Sequence, residues 1–361
     1  MRFKSAVIGA GPTGICAVGH LLDLRLYPIL WIDPCFNSGR LSSYENVPSN
    51  TKVKLFIEFA LNCNTFKEIA SQNDDVLKAL LAMDQDSGCY YDKRYQTITT
   101  DKGNVRSMNF SDIWCIELEG SGEKHYSDST ILATGSQPRE SRQFPSETQH
   151  EIIPIHLDVA LDPGRLSQII TKDDNVAVVG SSHSAILVLK NLSQNTSCKS
   201  ILNFYREELK FAEYKDGWIL YDNTGLKGQA ATWARNELSK VQKIKRIKLP
   251  KEKNKEEEVY LAHLRGCTKI IYAIGFERNP LPIISVNDRV CREISYNSKN
   301  GQMSDENGPL DNCFGFGIAF PEKTIDPMGN VEYAVGLYKF TRYMKNIFPV
   351  IFKPLLDKLN K

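Results

Sequence analysis

Apolar and polar positions along this chain follow a recurring order: a short buried run, a glycine, then a stretch with helical spacing. The first run, Ala6-Val7-Ile8, leads straight into Gly9-Ala10-Gly11-Pro12-Thr13-Gly14, and residues 15–22 continue as a helix. A second run, Ile29-Leu30-Trp31-Ile32, closes on Asp33. The same unit returns 171 residues after Gly9. There Val176-Ala177-Val178-Val179 meets Gly180-Ser181-Ser182-His183-Ser184-Ala185, with a helix expected over 182–192 and a strand over 200–205. Continuous apolar runs of this length predict strands buried on both faces, as in parallel sheets covered by helices.

The turn chemistry makes these units specific. In G-x-G-x-x-G after a strand, the first glycine permits the tight turn and the second lets backbone approach a pyrophosphate. The third allows close helix packing, and the free amides of the helix start face the phosphates. Asp33 lies 22 residues after Gly11, where a carboxylate can accept both hydroxyls of an adenosine ribose. In the second unit the strand ends at Arg206, 26 residues after Gly180, and Lys210 follows. A guanidinium there binds a 2′-phosphate that an acid would repel, so NADPH is expected over NADH. An ordinary α/β crossover with a solvated arginine stays open for this second turn, because its later glycines are replaced. Two such turns predict an α/β fold of two Rossmann-like dinucleotide-binding domains, the second inserted in the first, and a flavoprotein reduced by a nicotinamide. The expected divisions are 1–150 and 276–361 for the FAD-binding domain and 151–275 for the NADP-binding domain.

Between the motifs, residues 37–51 form a long polar loop, and residues 55–82 read as helical. Residues 95–99, 105–108 and 113–118 look like a small antiparallel meander. Ser129 to Gly135 is a buried strand ending in Ala133-Thr134-Gly135, echoed by Ala273-Ile274-Gly275-Phe276. The charged run 240–258 reads as a solvated loop between strands, with a docking surface as the alternative. Residues 313–318 are strand-like, 331–348 form a final helix containing Gly336, and 348–359 are amphipathic. A packed C-terminal helix or a surface membrane contact would explain the last segment.

Composition narrows the class. At 361 residues the chain has room for about two domains, each with its own core. A 42% hydrophobic content excludes a wholly disordered chain, and a net charge of +2 argues against a nucleic-acid binder. No stretch resembles a signal peptide or an integral membrane span, so a cytoplasmic enzyme acting on a small-molecule substrate is expected, its oligomeric state left open. No metal site is expected. The nine cysteines include no C-x-x-C or C-x-x-x-x-C pair, which removes the dithiol relay of flavoprotein disulfide reductases. Cys35, two residues after Asp33, reads as a filler beside the ribose site.

The order of G-x-G-x-x-G, polar loop, Ala-Thr-Gly, second glycine turn and Ala-Ile-Gly-Phe resembles the flavin-containing monooxygenases and their N-hydroxylating relatives. The resemblance spans most of the chain. It implies FAD at the first turn, NADPH at the second, and strand ends at Ala-Thr-Gly that line the interdomain hinge. It further implies oxygenation of a soft nucleophile, an amine or thioether, through a C4a-hydroperoxyflavin. Pro48-Ser49-Asn50-Thr51-Lys52 resembles the family loop that carries an asparagine beside the flavin, which makes Asn50 the candidate catalytic residue, with a cap on a helix beginning near Val53 or a turn as the alternative. His156, 24 residues before Gly180, stands near the family's linker histidine, and a plain backbone-satisfied histidine is the alternative. The family's F-x-G-x-x-x-H linker is not intact at 150–156, and Gly39-Arg40 lacks the flanking glycine and tryptophan. A flavin-dependent NADPH reductase without oxygenation and a non-catalytic FAD-binding protein therefore stay open. The candidate cofactor-binding residues are Gly9, Gly11, Pro12, Thr13, Gly14, Asp33, Arg40, Thr134, Gly135, Gly180, Ser181, Ser182, His183, Ser184, Arg206, Lys210, Gly275 and Gly317.

Overall fold

The computed structural model describes residues 2–49, 53–72, 98–140 and 152–359. Its backbone sorts into two parallel α/β units joined by a short ribbon. The first sheet has seven strands in the order Ser295–Tyr296, Gln302–Asp305, Gly308–Gly315, Thr130–Leu132, Ser5–Ile8, Ile29–Ile32 and Ile98–Asp101. The five from Gly308–Gly315 onward run parallel. The second sheet is wholly parallel, in the order Ile153–Ile155, Lys269–Tyr272, Asn175–Val179, Ser200–Tyr205 and Ile244–Lys248. All its strands come from between 153 and 272, whereas the first sheet draws strands from both flanks, so the second unit is nested inside the first.

Each apolar run is buried on both sides because each sheet is covered on both. On one face of the first sheet, Val7, Ile29, Ile131 and Phe314 pack with Cys16, Leu21, Phe348 and Phe352 from helices Pro12–Asp23 and Leu337–Ile351 and the residue after them. On the other, Ala6, Ile8, Leu30 and Leu132 meet Met108, Trp114 and Ile116. Those three belong to a six-stranded layer built around the antiparallel strands Val105–Phe110, Trp114–Leu118 and Lys124–Ser127. The second sheet is flanked likewise by helix His183–Asn195 on one face and helix Lys253–Leu264 on the other.

Several expectations are corrected. Ile98–Asp101 pairs parallel with Ile29–Ile32 and extends the first sheet, so it is not part of the meander; residues 95–97 lie outside the described residues. The stretch expected to be one helix over 55–82 holds two, Val53–Ala60 and Asn64–Gln72, and its remainder lies outside the described residues. The charged run 240–258 is not a loop: it supplies strand Ile244–Lys248 and the start of helix Lys253–Leu264. Its alternating strand side chains are half solvated at a sheet edge, which hid the strand. Gly336 does not sit inside a helix. Strand Val331–Ala334 precedes it, and Gly336, at φ 134°, forms the N-cap of helix Leu337–Ile351.

The crossing to and from the second unit is a two-stranded antiparallel ribbon, Ser136–Pro138 against Phe276–Arg278. Gly135 (φ 73°) and Gly275 (φ 96°) stand at its two ends, in a backbone region that favours glycine. The Gly275 carbonyl accepts from Arg139 N at 3.0 Å, and the Gly135 carbonyl from Asn279 N at 3.2 Å.

His20 lies buried in helix Pro12–Asp23, edge-on to Phe348 and 3.5 Å from Thr341 Oγ1. Burial disfavours its cation and, against a weaker pull from Asp23, lowers its pKa to about 4. The unfolded chain binds the proton more readily, so this contribution to stability is present above about pH 6.5 and is lost as pH falls toward 4. The loss amounts to about 3 kcal/mol. Denaturant titrations at pH 7.5, 5.5 and 4.5 should show that decline in the native protein and a flatter profile in His20→Gln.

Candidate functional site

The first turn follows strand Ser5–Ile8. Gly9, at φ 112°, lies against the end of strand Thr130–Leu132 so closely that an added Cβ would sit 2.3 Å from the Ala133 carbonyl oxygen. A Cβ on Gly14 would sit 1.9 Å from the Gly9 carbonyl oxygen, which also accepts from Trp31 Nε1 at 3.0 Å. Gly11 is the contrast, with nothing within 4 Å of its missing side chain. It caps helix Pro12–Asp23 in extended conformation, and no side chain caps the helix amides. Pro12 at the helix start needs no N–H partner.

Other predicted residues gather on this turn. Gly317 abuts Thr13, since an added Cβ would lie 2.1 Å from Thr13 Oγ1, and the Cβ position of Gly39 is 3.1 Å from Gly11 Cα. Thr134 Oγ1 is enclosed without a hydrogen-bond partner, while Asn279 Nδ2 donates to the Thr134 carbonyl at 2.8 Å. Asp33 accepts from Ala10 N at 2.7 Å through Oδ2, and from Cys35 N and Phe36 N at 2.8 Å through Oδ1. Those three bonds tie the Asp33 carboxylate to the turn and leave its acceptor capacity only partly free.

The second turn repeats the construction. A Cβ on Gly180, at φ 129°, would lie 2.3 Å from the Ala273 carbonyl oxygen, the counterpart of Gly9 and Ala133. Ser182 is the N-cap of helix His183–Asn195, extended and without a side-chain cap. Ser181 Oγ donates to the Glu207 carbonyl at 3.1 Å. His183 opens the helix, its Nδ1 enclosed and unpartnered. Burial first, then the Lys227 charge, hold its pKa below the ordinary histidine value. Ser184 follows on the first turn of the same helix.

Strand pairing shows which residue of this unit corresponds to Asp33. Gly9 N donates to Ile32 O and Gly180 N to Phe204 O, each at 2.8 Å, so the residue equivalent to Asp33 is Tyr205. Arg206 is the next residue, and its Nη2 donates to Glu256 Oε1 and Oε2 at 2.8 and 3.0 Å. Lys210 Nζ lies over the Tyr221 ring, 5.5 Å from its centroid.

Polar contacts fasten the units to one another. Arg40, expected at the cofactor, donates Nε to the Ser136 carbonyl at 3.0 Å and pairs with Asp158. Tyr44 Oη donates to Asp158 Oδ1 at 2.8 Å and Asn46 Nδ2 to Asp162 Oδ2 at 3.0 Å. The long polar loop, in which Gly39–Ser43 is a short 3-10 helix, is therefore an interdomain strap. His156 N-caps the strapped helix Leu157–Leu161, its Nδ1 accepting from Asp158 N at 3.2 Å, the backbone-satisfied alternative. A second fastening joins buried Glu332 to Asn223 N at 3.0 Å and to Thr224 Oγ1 at 2.5 Å, while Lys339 Nζ reaches Asp222 Oδ2 at 2.6 Å. Sequence reasoning missed Tyr205 and both fastenings, because no local signal marks partners more than 100 residues apart. Asn50 lies outside the described residues.

No protein-family model matches the chain. The monooxygenase AgnR1 of Paecilomyces divaricatus is 35% identical over 394 residues, covering 96% of this chain and 97% of its own. The chain belongs to this monooxygenase family. Among solved structures, thioredoxin reductase of Lactococcus lactis aligns over 98% of this chain and 99% of its own at 13% identity, with a TM-score of 0.53. The bacillithiol disulfide reductase of Staphylococcus aureus covers 99% of both chains at 12% identity and a TM-score of 0.47. The thioredoxin reductase match shows the fold, two nested Rossmann-type units, and kinship with the monooxygenase makes the chain an oxidoreductase. All eight described cysteines are free. Among the described residues no helix is long and apolar enough to cross a membrane.

If the Glu332 fastening holds the units together, Glu332→Ala leaves the Asn223 amide and the Thr224 hydroxyl unpaired. The donors are only partly buried and can turn to water, so the expected cost is about 1 kcal/mol per hydrogen bond lost. A lowered thermal midpoint with faster proteolytic cleavage near 221–227 would register it; an unchanged midpoint and digestion pattern would show the contact to be dispensable.

Proposed function

We propose that the chain is an FAD- and NADPH-dependent monooxygenase that oxygenates a soft nucleophile, an amine nitrogen or a thioether sulfur, on a small-molecule substrate. The observation that carries this is the contrast within the first turn. Gly9, Gly14, Gly39 and Gly317 are packed so tightly that a methyl group would collide or crowd its neighbour, whereas Gly11 alone opens onto free space above an uncapped helix start. Close walls around one open, amide-lined floor fit a pyrophosphate. The enclosed, unpartnered Thr134 Oγ1 beside this turn offers a further donor.

Bound FAD would supply hydride acceptance from NADPH and the activation of dioxygen; this chain's own residues bind and orient. Gly11 and the amides of Thr13 and Gly14 would hold the FAD pyrophosphate. The remaining acceptor position on Asp33 Oδ2 serves a ribose hydroxyl, one rather than the two expected from spacing alone. Gly180, Ser182, His183 and Ser184 would hold the NADPH pyrophosphate at the second helix start. Kinship with a monooxygenase, together with the missing closely spaced cysteine pair, favours oxygenation over electron delivery to a disulfide.

The test has two arms. Gly11→Val places a side chain in the open floor and should yield colourless protein of native secondary structure, while the unmodified protein retains or takes up FAD. With NADPH, ¹⁸O₂ and a panel of amines and thioethers, the native protein should place one labelled oxygen in product. Flavin binding with NADPH oxidation, peroxide release and no labelled product across the panel would establish a reductase instead.

A further inference from the structure

Linear spacing in the second unit points to Arg206 as the charge for a phosphorylated ribose. We propose that Arg246, on the neighbouring strand, is the guanidinium that receives the 2′-phosphate of the nicotinamide cofactor. This rests on the reading of the second turn as the nicotinamide site.

Register is the first observation. Ile8 pairs with Ile32 and Val179 with Phe204, so Tyr205 occupies the place of Asp33. A tyrosine there removes the carboxylate that would repel a phosphate, and its ring carries a guanidinium: Arg246 Cζ lies 4.0 Å from the Tyr205 centroid. Arg246 stands opposite Asn203 in the adjacent strand.

Arg246 is also tied to the turn itself. Its Nε donates to Asn203 Oδ1 at 3.1 Å, and fully buried Asn203 donates through Nδ2 to the Gly180 carbonyl at 2.8 Å and the Val178 carbonyl at 3.2 Å. One hydrogen-bonded relay thus sets the guanidinium relative to the glycine that begins the site. Arg246 Nη2 is enclosed and has no hydrogen-bond partner. Such a donor is costly to leave unpaired, and a planar fork held flat on an aromatic ring presents its edge to a phosphate. The nearby Glu208 carboxylate is bonded to Lys248 at 2.9 Å rather than to Arg246.

Arg206 is differently placed. Both oxygens of Glu256, a mostly buried carboxylate in the first turn of helix Lys253–Leu264, take up its Nη2. A phosphate approaching Arg206 would meet that carboxylate as well, so attraction and repulsion offset. Arg246 is held instead by an aromatic ring and an amide oxygen; the Glu208 carboxylate beside it takes hydrogen bonds from Tyr205 and Lys248, and Lys248 offsets its charge.

The phosphate is isolated by comparing 2′,5′-ADP with 5′-AMP, titrated calorimetrically into FAD-loaded protein. The native chain should prefer 2′,5′-ADP, and Arg246→Gln should cut that preference roughly tenfold to a hundredfold with 5′-AMP affinity unchanged. Arg206→Gln should change the preference by less than about threefold, within the range of an exposed, already neutralised charge. If Arg246→Gln does not fold, Arg246→Lys, which keeps the charge but loses the fork, should give an intermediate preference. A preference abolished by Arg206→Gln and retained in the Arg246 variants would overturn the proposal. Native protein that binds neither nucleotide would instead remove the nicotinamide site itself, and Arg246's role with it.

Discussion

The contact on which the structure depends is a pair of close backbone approaches, Gly9 against the Ala133 carbonyl and Gly180 against the Ala273 carbonyl. At each, a side chain would sit 2.3 Å from the opposing oxygen. These contacts join each glycine turn to the end of the parallel strand beside it and fix where the following helix points. Because both glycines also lie at positive φ, two independent constraints exclude other residues. The helix starts, with their uncapped amides, are consequences of that geometry.

The two units would be separate folds without the ribbon and the fastenings. Gly135 and Gly275 let the chain leave and return side by side, and the Arg40–Asp158 and Glu332–Asn223 contacts hold what the ribbon alone would leave free to swivel. Polar, partly buried contacts suit this task. They are directional, and a carboxylate such as Glu332 loses its hydrogen-bond donors if the units separate. These contacts set how the two glycine turns stand relative to one another in the fold.

How much was legible varied with the range of the interaction. The first turn, its helix and strand Ile29–Ile32 are legible in residues 6–33 because the glycine spacing and apolar periodicity that mark them are contiguous, although the Gly9–Ala133 approach that holds the turn is not. Strand Ile98–Asp101 was misassigned because its polar sequence, ITTD, resembles an edge strand of a meander as much as the edge of a parallel sheet. Gly336 looked like a tolerated helical glycine, since only its φ shows that it caps the helix. Arg206 was singled out by counting along the chain, whereas the equivalence of Tyr205 to Asp33 comes from cross-strand hydrogen bonds.

The sequence by itself determined that there are two glycine turns, that the second unit is nested in the first, and that no closely spaced cysteine pair can relay electrons. Those properties reside in contiguous residues, where backbone sterics and hydrophobic periodicity act over a few positions. Only the tertiary structure decided which protein partner each charge takes. Arg206 is neutralised by Glu256, Arg246 is brought onto Tyr205, and Arg40 is taken up by Asp158. The physical reason is that electrostatic partnership depends on distance in space, and strand order brings together residues separated by 40 to 120 positions in the chain.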